Sequence, residues 1–135
     1  RLVLEISEAS AMAAPELVVD FMGRMQEHGI AFALDNFGAG TSIIKYFREF
    51  FFDAVKIDGQ FIRGVHGNHD NQAVTRALVS VAKQFDMLVV AESVETREDA
   101  DFLVSIGVDC LQGYLFGAPS VSPPWIAELK QRTPA

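Results

Sequence analysis

The sequence predicts an α/β fold built on a parallel sheet, and three observations carry that prediction. Five short apolar segments alternate with stretches of helical periodicity along 135 residues. Nearly every apolar segment contains or closes on a charged or amide side chain. Hydrophobic residues make up 50% of the chain, enough for a real core at about one-domain length. Strand–helix alternation requires crossover connections, so the sheet is either doubly wound or rolled toward a barrel.

The first strand is Leu2-Val3-Leu4-Glu5-Ile6. Pro15 suits a first helical turn, and Leu17, Val18, Phe21, Met22 and Met25 then recur at helical spacing, predicting a helix over residues 15–28 before Gly29. Residues 31–35 form an apolar strand that delivers Asp35 and Asn36 to a loop containing Gly38, Gly40, Thr41 and Ser42. Residues 42–50 read as a short helix, and Phe47, Phe50, Phe51 and Phe52 as core.

The next strand covers residues 54–58 and carries Lys56 and Asp58. Residues 70–85 form a helix with Val74, Leu78, Val81 and Phe85 on one face, and residues 87–91 a buried strand closing on Glu92. Thr96 to Asp99 has the form of a capping box and opens a helix burying Phe102, Leu103 and Ile106. Asp109-Cys110-Leu111 is a minimal strand leading to Gln112, and Ser122 with two prolines starts a last helix that Trp125 anchors.

The formal charge of −7 argues against nonspecific binding to DNA or to an anionic membrane surface. An anionic substrate therefore needs a local counter-charge. One cysteine, Cys110, excludes an internal disulfide framework and accords with a reducing, cytoplasmic setting or the cytoplasmic part of a larger protein. No apolar run approaches the ~20 residues of a membrane span, so direct membrane contact is not expected of this segment.

The C-terminal ends of parallel strands face the same way, so Glu5, Asp35, Lys56, Asp58, Glu92 and Gln112 converge on one rim. Any one of them alone reads equally well as a helix N-cap or a surface ion pair. Their recurrence strand after strand reads as a site. Carboxylates gathered there need a cation, and hard oxygen ligands favour Mg²⁺ or Mn²⁺. With a lysine among them, the chemistry predicted is metal-assisted hydrolysis of a phosphate ester. Gly38 and Gly40 read as an active-site loop. His28, His66 and His69 read as surface residues, and Met12, Met22, Met25 and Met87 as packing.

Glu5-Ile6-Ser7-Glu8, Asp35-Asn36-Phe37-Gly38-Ala39-Gly40, Lys56-Ile57-Asp58, Ala91-Glu92-Ser93-Val94-Glu95 and Gln112-Gly113-Tyr114-Leu115-Phe116 resemble, in order, the successive motifs of the EAL domain. The resemblance implies a TIM-like (β/α) barrel and hydrolysis of cyclic di-GMP to linear pGpG with two Mg²⁺ or Mn²⁺ ions. Carried over by position, Glu5 and Asp35 resemble metal ligands, with Asp35 bridging the ions and Asn36, in the family's second acidic position, a neutral and weaker ligand of the second ion. Lys56 resembles the residue that holds the attacking water. Glu92 resembles a metal-site acid or general base, and Gln112 a polar residue of the same site. Glu8 resembles the acid that braces the loop after Asp35, while Asp58 and Glu95 are further motif acids whose roles the resemblance leaves open.

Two positions depart from the family pattern. Asn36 replaces a carboxylate with a neutral amide, and Ser93 stands where the family has glycine. The resemblance also starts at what corresponds to a third barrel strand. No Glu-Ala-Leu tripeptide occurs, nor the asparagine-bearing strand that follows it. Residues 1–135 are therefore expected to form the C-terminal part of an EAL-type barrel, a partial TIM-like barrel of about five parallel strands. By itself this part is expected to be inactive and to self-associate through the first strand, Leu2 to Ile6, or pair with the missing N-terminal half. The alternative is a degenerate EAL-like module that binds cyclic di-GMP or a protein without hydrolysing it.

Overall fold

The computed structural model describes residues 2–40 and 43–116. Among them, five strands form one parallel sheet: β1 (Val3–Ser7), β2 (Ala31–Phe37), β3 (Ala54–Ile57), β4 (Leu88–Ala91) and β5 (Cys110–Leu111). Their spatial order is β1-β2-β3-β4-β5. A doubly wound sheet must reverse its order at a switch point, whereas this one advances one neighbour at a time, as a barrel wall does. The pairing order thus resolves the alternative that alternation alone leaves open.

The two faces of the sheet have different fates. Leu34, Val55, Ile57, Val89 and Ala91 are buried on the helix side, joined there by Phe32, Phe37, Phe47 and Phe50 in one core. The register places Val3, Glu5, Ala31, Ala33, Ala54, Lys56, Leu88, Val90 and Cys110 on the other, inner face. Val3 and Leu88 are more than half exposed there, at 52% and 56%, so the strand at 88–91 is buried on one face only.

Among the described residues, four helices pack on the outer side: α1 (Glu8–Ala13), α2 (Pro15–Glu27), α3 (His69–Gln84) and α4 (Arg97–Ser105). Helix α1 is absent from the sequence reading because β1 runs into it without a turn: Ser7 ends the strand and caps the helix, accepting from the Ser10 N–H. On α2 the buried residue is Met22, with Val18, Val19 and Met25 partly covered; Leu17 is exposed, and Phe21, half exposed, meets the buried Phe32 edge-on. On α3 the stripe turns from Val74 toward Thr75, Leu78, Val79 and Ala82, whose smaller members let the helix approach the sheet.

The helix expected over residues 42–50 is only a 3-10 turn, Ile43–Tyr46. Phe47, Phe50 and Phe52 are buried, and Phe47 meets Phe37 and Phe85, each with ring centroids 5.5 Å apart. Phe51, assigned to the core from sequence, is exposed. Three consecutive aromatics in extended chain alternate sides, so the middle one must face out. Thr41, Ser42, the expected last helix and Trp125 lie outside the described residues.

The connection from β3 to α3 is tied to α4 through Asp99. Its buried carboxylate accepts from the backbone N–H groups of Gly64 and His66 at 3.1 and 3.0 Å, and pairs with His66 Nδ1 at 2.6 Å. Burial opposes the charge, yet the donors of His66, Thr96 and Gly64 outweigh it and hold the carboxyl below its ordinary 3.8. Asp99→Ala leaves those donors unmet and is expected to cost about 3 kcal/mol in urea unfolding. Because the folded pKa is depressed, the carboxylate stabilises fully above 3.8 and loses its contribution as pH falls through the folded value. Acid-unfolding curves of Asp99→Asn should therefore be flatter below pH 4 than those of the wild type; equal slopes would remove Asp99 from the acid response.

Candidate active site

The site is assembled at the C-terminal ends of β1 to β4. Glu5 lies opposite Ala33, which in turn pairs with Ala54, and Lys56 follows two residues later on the same inner face. With only methyl groups at Ala33 and Ala54, the lysine stem can cross above β2 to the first strand. Lys56 Nζ lies 2.5 Å from Glu5 Oε1 and 3.6 Å from Glu92 Oε1. Burial works against its charge, but Glu5, Glu92 and Asp35 together hold the ammonium above its ordinary 10.5.

Glu92 shows the opposite balance. Burial, then the neighbouring Asp35 charge and a hydrogen bond between the two carboxyls, push Glu92 above 4.5, with Lys56 offsetting part of the rise. Glu5, Asp35, Lys56 and Glu92 are thus brought together.

The other residues singled out from sequence stand around this centre. Asn36 is the extra residue where the β2–β3 register shifts, with φ 58°, and its N–H donates to Asp35 Oδ1 at 2.9 Å. The shift returns Phe37 to the core and turns Asn36 toward a cavity of about 710 Å³ that it lines with Ser7, Glu8, Gly40 and Asp58. Asparagine tolerates this left-handed conformation better than most residues. Asp58 caps the short 3-10 turn Gly59–Phe61, accepting from the Gln60 N–H. Glu8, buried at the start of α1, accepts from the Gly40 N–H at 3.0 Å and so ties down the glycine loop. Burial leads in raising its carboxyl above 4.5, against nearby N–H groups of Gly40, Ile43 and Gly38.

On the other flank a cavity of about 440 Å³ is lined by Glu92, Ser93, Glu95, Gln112, Arg63 and Tyr114. Arg63 is not among the residues singled out from sequence; nothing in its spacing marks it, since it reaches the site from a turn rather than a strand end. Ser93 holds a left-handed backbone, φ 63°, and faces Gly59 so closely that a Cβ at Gly59 would lie 2.5 Å from Ser93 Oγ. Gly59→Ala should cost about 2 kcal/mol in thermal unfolding, and Ser93→Gly should remove most of that penalty. Strictly additive effects would dissolve this steric pairing.

The oxygen donors of Glu5, Asp35 and Glu92 suit a hard divalent ion. Among the described residues, however, no three His, Cys, Asp or Glu groups are spaced to share one. The Lys56 ammonium fills the position between Glu5 and Glu92 as their counter-charge.

Residues 1–119 match the EAL domain family. The chain belongs to that family. A cyclic di-GMP phosphodiesterase of Escherichia coli, PdeL, is 33% identical over 128 residues, which cover 95% of this chain and 35% of that protein. Among solved structures, the c-di-GMP complex of the PaMucR phosphodiesterase superposes with a TM-score of 0.84 at 30% identity, over 93% of this chain and 50% of that one. The manganese/cy-diGMP complex of Klebsiella pneumoniae BlrP1 gives a TM-score of 0.80 at 30% identity, over 87% of this chain and 30% of that one. This EAL chain therefore spans half or less of the length of each. Its five parallel strands alternating with helices are part of a TIM-barrel-like architecture.

Proposed function

We propose that this chain is the C-terminal part, residues 1–135, of a cyclic di-GMP phosphodiesterase that opens the ring to linear pGpG. The observation that carries the reading is the cluster at the strand ends, where the Lys56 ammonium is held between Glu5 and Glu92 with the Asp35 charge beside it. Glu5 and Asp35, with Asn36 and Glu92 beside them and further ligands from the N-terminal half of the barrel, would hold divalent cations, two Mg²⁺ or Mn²⁺ ions in a complete site. Such cations polarise the phosphoryl group and ease deprotonation of the attacking water.

Lys56 holds that water and counters charge building on the phosphoryl oxygens. Glu92, its carboxyl raised by burial and by Asp35, is poised to accept a proton from the water. Attack at phosphorus breaks one ester bond, and the departing sugar oxygen takes up a proton. Gln112 orients groups on the Glu92 side, and Glu8 braces the loop carrying Gly40. Asp58 and Glu95 serve the frame of the site rather than the reacting atoms. A cytoplasmic location accords with a cytoplasmic nucleotide substrate, and no described helix is long and apolar enough to cross a membrane.

The test is to incubate the full-length protein with cyclic di-GMP and Mn²⁺ and follow binding and linear product separately. Product supports the enzyme, and the absence of both binding and product sinks the nucleotide reading. Binding without product favours the second reading, a non-hydrolytic module, to which the amide at Asn36 points. In that case Asn36→Asp should restore turnover if the missing charge is the cause.

The exposed inner face, with Val3 and Leu88 uncovered, is proposed to pair with the N-terminal half of the barrel or, in this chain alone, with a second copy. Light scattering after size exclusion should then find this chain by itself larger than a monomer. A monomer at high concentration would overturn the self-pairing.

A further inference from the structure

We infer that Arg63 forms an anion subsite beside the acidic centre and takes the second phosphate of a cyclic dinucleotide, the one that is not cut. This rests on the phosphodiesterase reading and adds to it a residue that selects a substrate with two phosphates.

Arg63 lines the cavity that opens directly off Glu92, with Ser93, Gln112 and Tyr114 as neighbours. Among the described residues no carboxylate lies within ion-pair distance of its guanidinium, although the chain is acidic overall and Glu92 and Glu95 line the same cavity. An exposed cation with no carboxylate partner among the described residues is, in such surroundings, a counter-charge available to a ligand. Lys56, by contrast, is already engaged by Glu5 and Glu92 on the inner face. The two cations therefore serve different places: Lys56 the phosphate over the carboxyls, and Arg63 a phosphate carried past Glu92 into the side cavity.

The guanidinium is also positioned. Its Nη2 donates to Ser93 Oγ at 3.4 Å, and Ser93 presents that hydroxyl from a left-handed backbone immediately after Glu92. Gly59 leaves the needed clearance, since a Cβ there would come within 3.3 Å of Arg63 Nη2. One donor spent on Ser93 leaves four of the five guanidinium N–H groups for the two free oxygens of a phosphodiester. The hydroxyl that departs from the family pattern thus becomes a tether, and a substrate with a single phosphate gains nothing from it.

The experiment uses the full-length protein with Mn²⁺ and two substrates, cyclic di-GMP and bis-p-nitrophenyl phosphate, which has one phosphate. Arg63→Ala should raise KM and Kd for cyclic di-GMP roughly ten-fold with kcat held within about three-fold, and leave the single-phosphate diester unaffected. Arg63→Lys should recover part of the loss. Unchanged KM and Kd, or an equal loss on both substrates, would overturn the subsite. If the wild type binds cyclic di-GMP without turnover, the Kd comparison decides alone. If the wild type neither binds nor cleaves it, the phosphodiesterase reading itself fails, and this inference with it.

Discussion

Lys56→Met should lower cyclic di-GMP turnover by the full-length protein at least 100-fold while strengthening, not weakening, its stabilisation by Mn²⁺. The two halves of this prediction come from one geometry. Lys56 is the group that neutralises Glu5, Asp35 and Glu92 in the absence of metal, and it stands within salt-bridge distance of two of them. Removing its charge leaves the carboxyls to repel one another. The Glu92 carboxyl, which Lys56 partly holds down, should rise further. A divalent ion then has more repulsion to relieve, so the melting temperature should climb more on adding Mn²⁺ than in the wild type. Turnover should nevertheless fall, because on the proposed reading Lys56 holds the attacking water and supplies a fixed positive charge to the phosphoryl oxygens. Methionine keeps an unbranched apolar stem that matches lysine up to its ε-carbon and lacks only the ammonium, so packing across Ala33 is largely preserved. Turnover within a few-fold of wild type would remove Lys56 from the chemistry, and a smaller Mn²⁺ stabilisation would show that the ammonium is not the metal's competitor.

The residues of this centre are legible in the sequence because strand ends are legible. Asp35, Lys56 and Glu92 each follow or interrupt a short apolar run, and a parallel sheet brings such positions to one rim whatever its curvature. What sequence leaves undecided is anything set by pairing. Whether the sheet winds both ways or one way depends on which strands touch, and the order β1-β2-β3-β4-β5 is a property of contacts far apart in the chain. Asn36 illustrates the same gap at the scale of one residue. Adjacent to Asp35, it reads as a fellow ligand, but its left-handed backbone at the register shift between Leu34 and Phe37, and the cavity it lines with Glu8 and Asp58, are set by strand pairing that the sequence does not display. Ser7 hides helix α1 because it is at once the last strand residue and the first cap. Arg63 escapes because a lone arginine in a turn has no periodicity to betray where it reaches. Phe51 could have been placed: three aromatics in extended chain cannot all point one way.

Gly113→Ala should unfold the domain more readily than any other single methyl addition considered, by roughly 3–5 kcal/mol in urea. Gly113 has φ 151°, and a Cβ built on it would fall 2.3 Å from both the nitrogen and the oxygen of Val94. Those are backbone atoms of the segment that follows Glu92, so no side-chain rotation relieves the clash. The two segments are stitched together on either side of the contact, by Val94 N–H to the Gln112 carbonyl at 2.9 Å and by Leu115 N–H to the Val94 carbonyl at 3.1 Å. Forcing them apart strains both bonds and shifts Glu92, Ser93 and Gln112 together, so activity should be lost even where the protein remains folded. Gly64 is the control. It too is left-handed, at φ 67°, but nothing lies within 4 Å of its added Cβ, so Gly64→Ala should show only the conformational cost of about 1 kcal/mol. Equal losses at the two positions would mean that backbone conformation alone is responsible. A much larger loss at Gly113 assigns the difference to the close approach of two strand ends, which is the contact that holds the Glu92 side of the site against the Gln112 side.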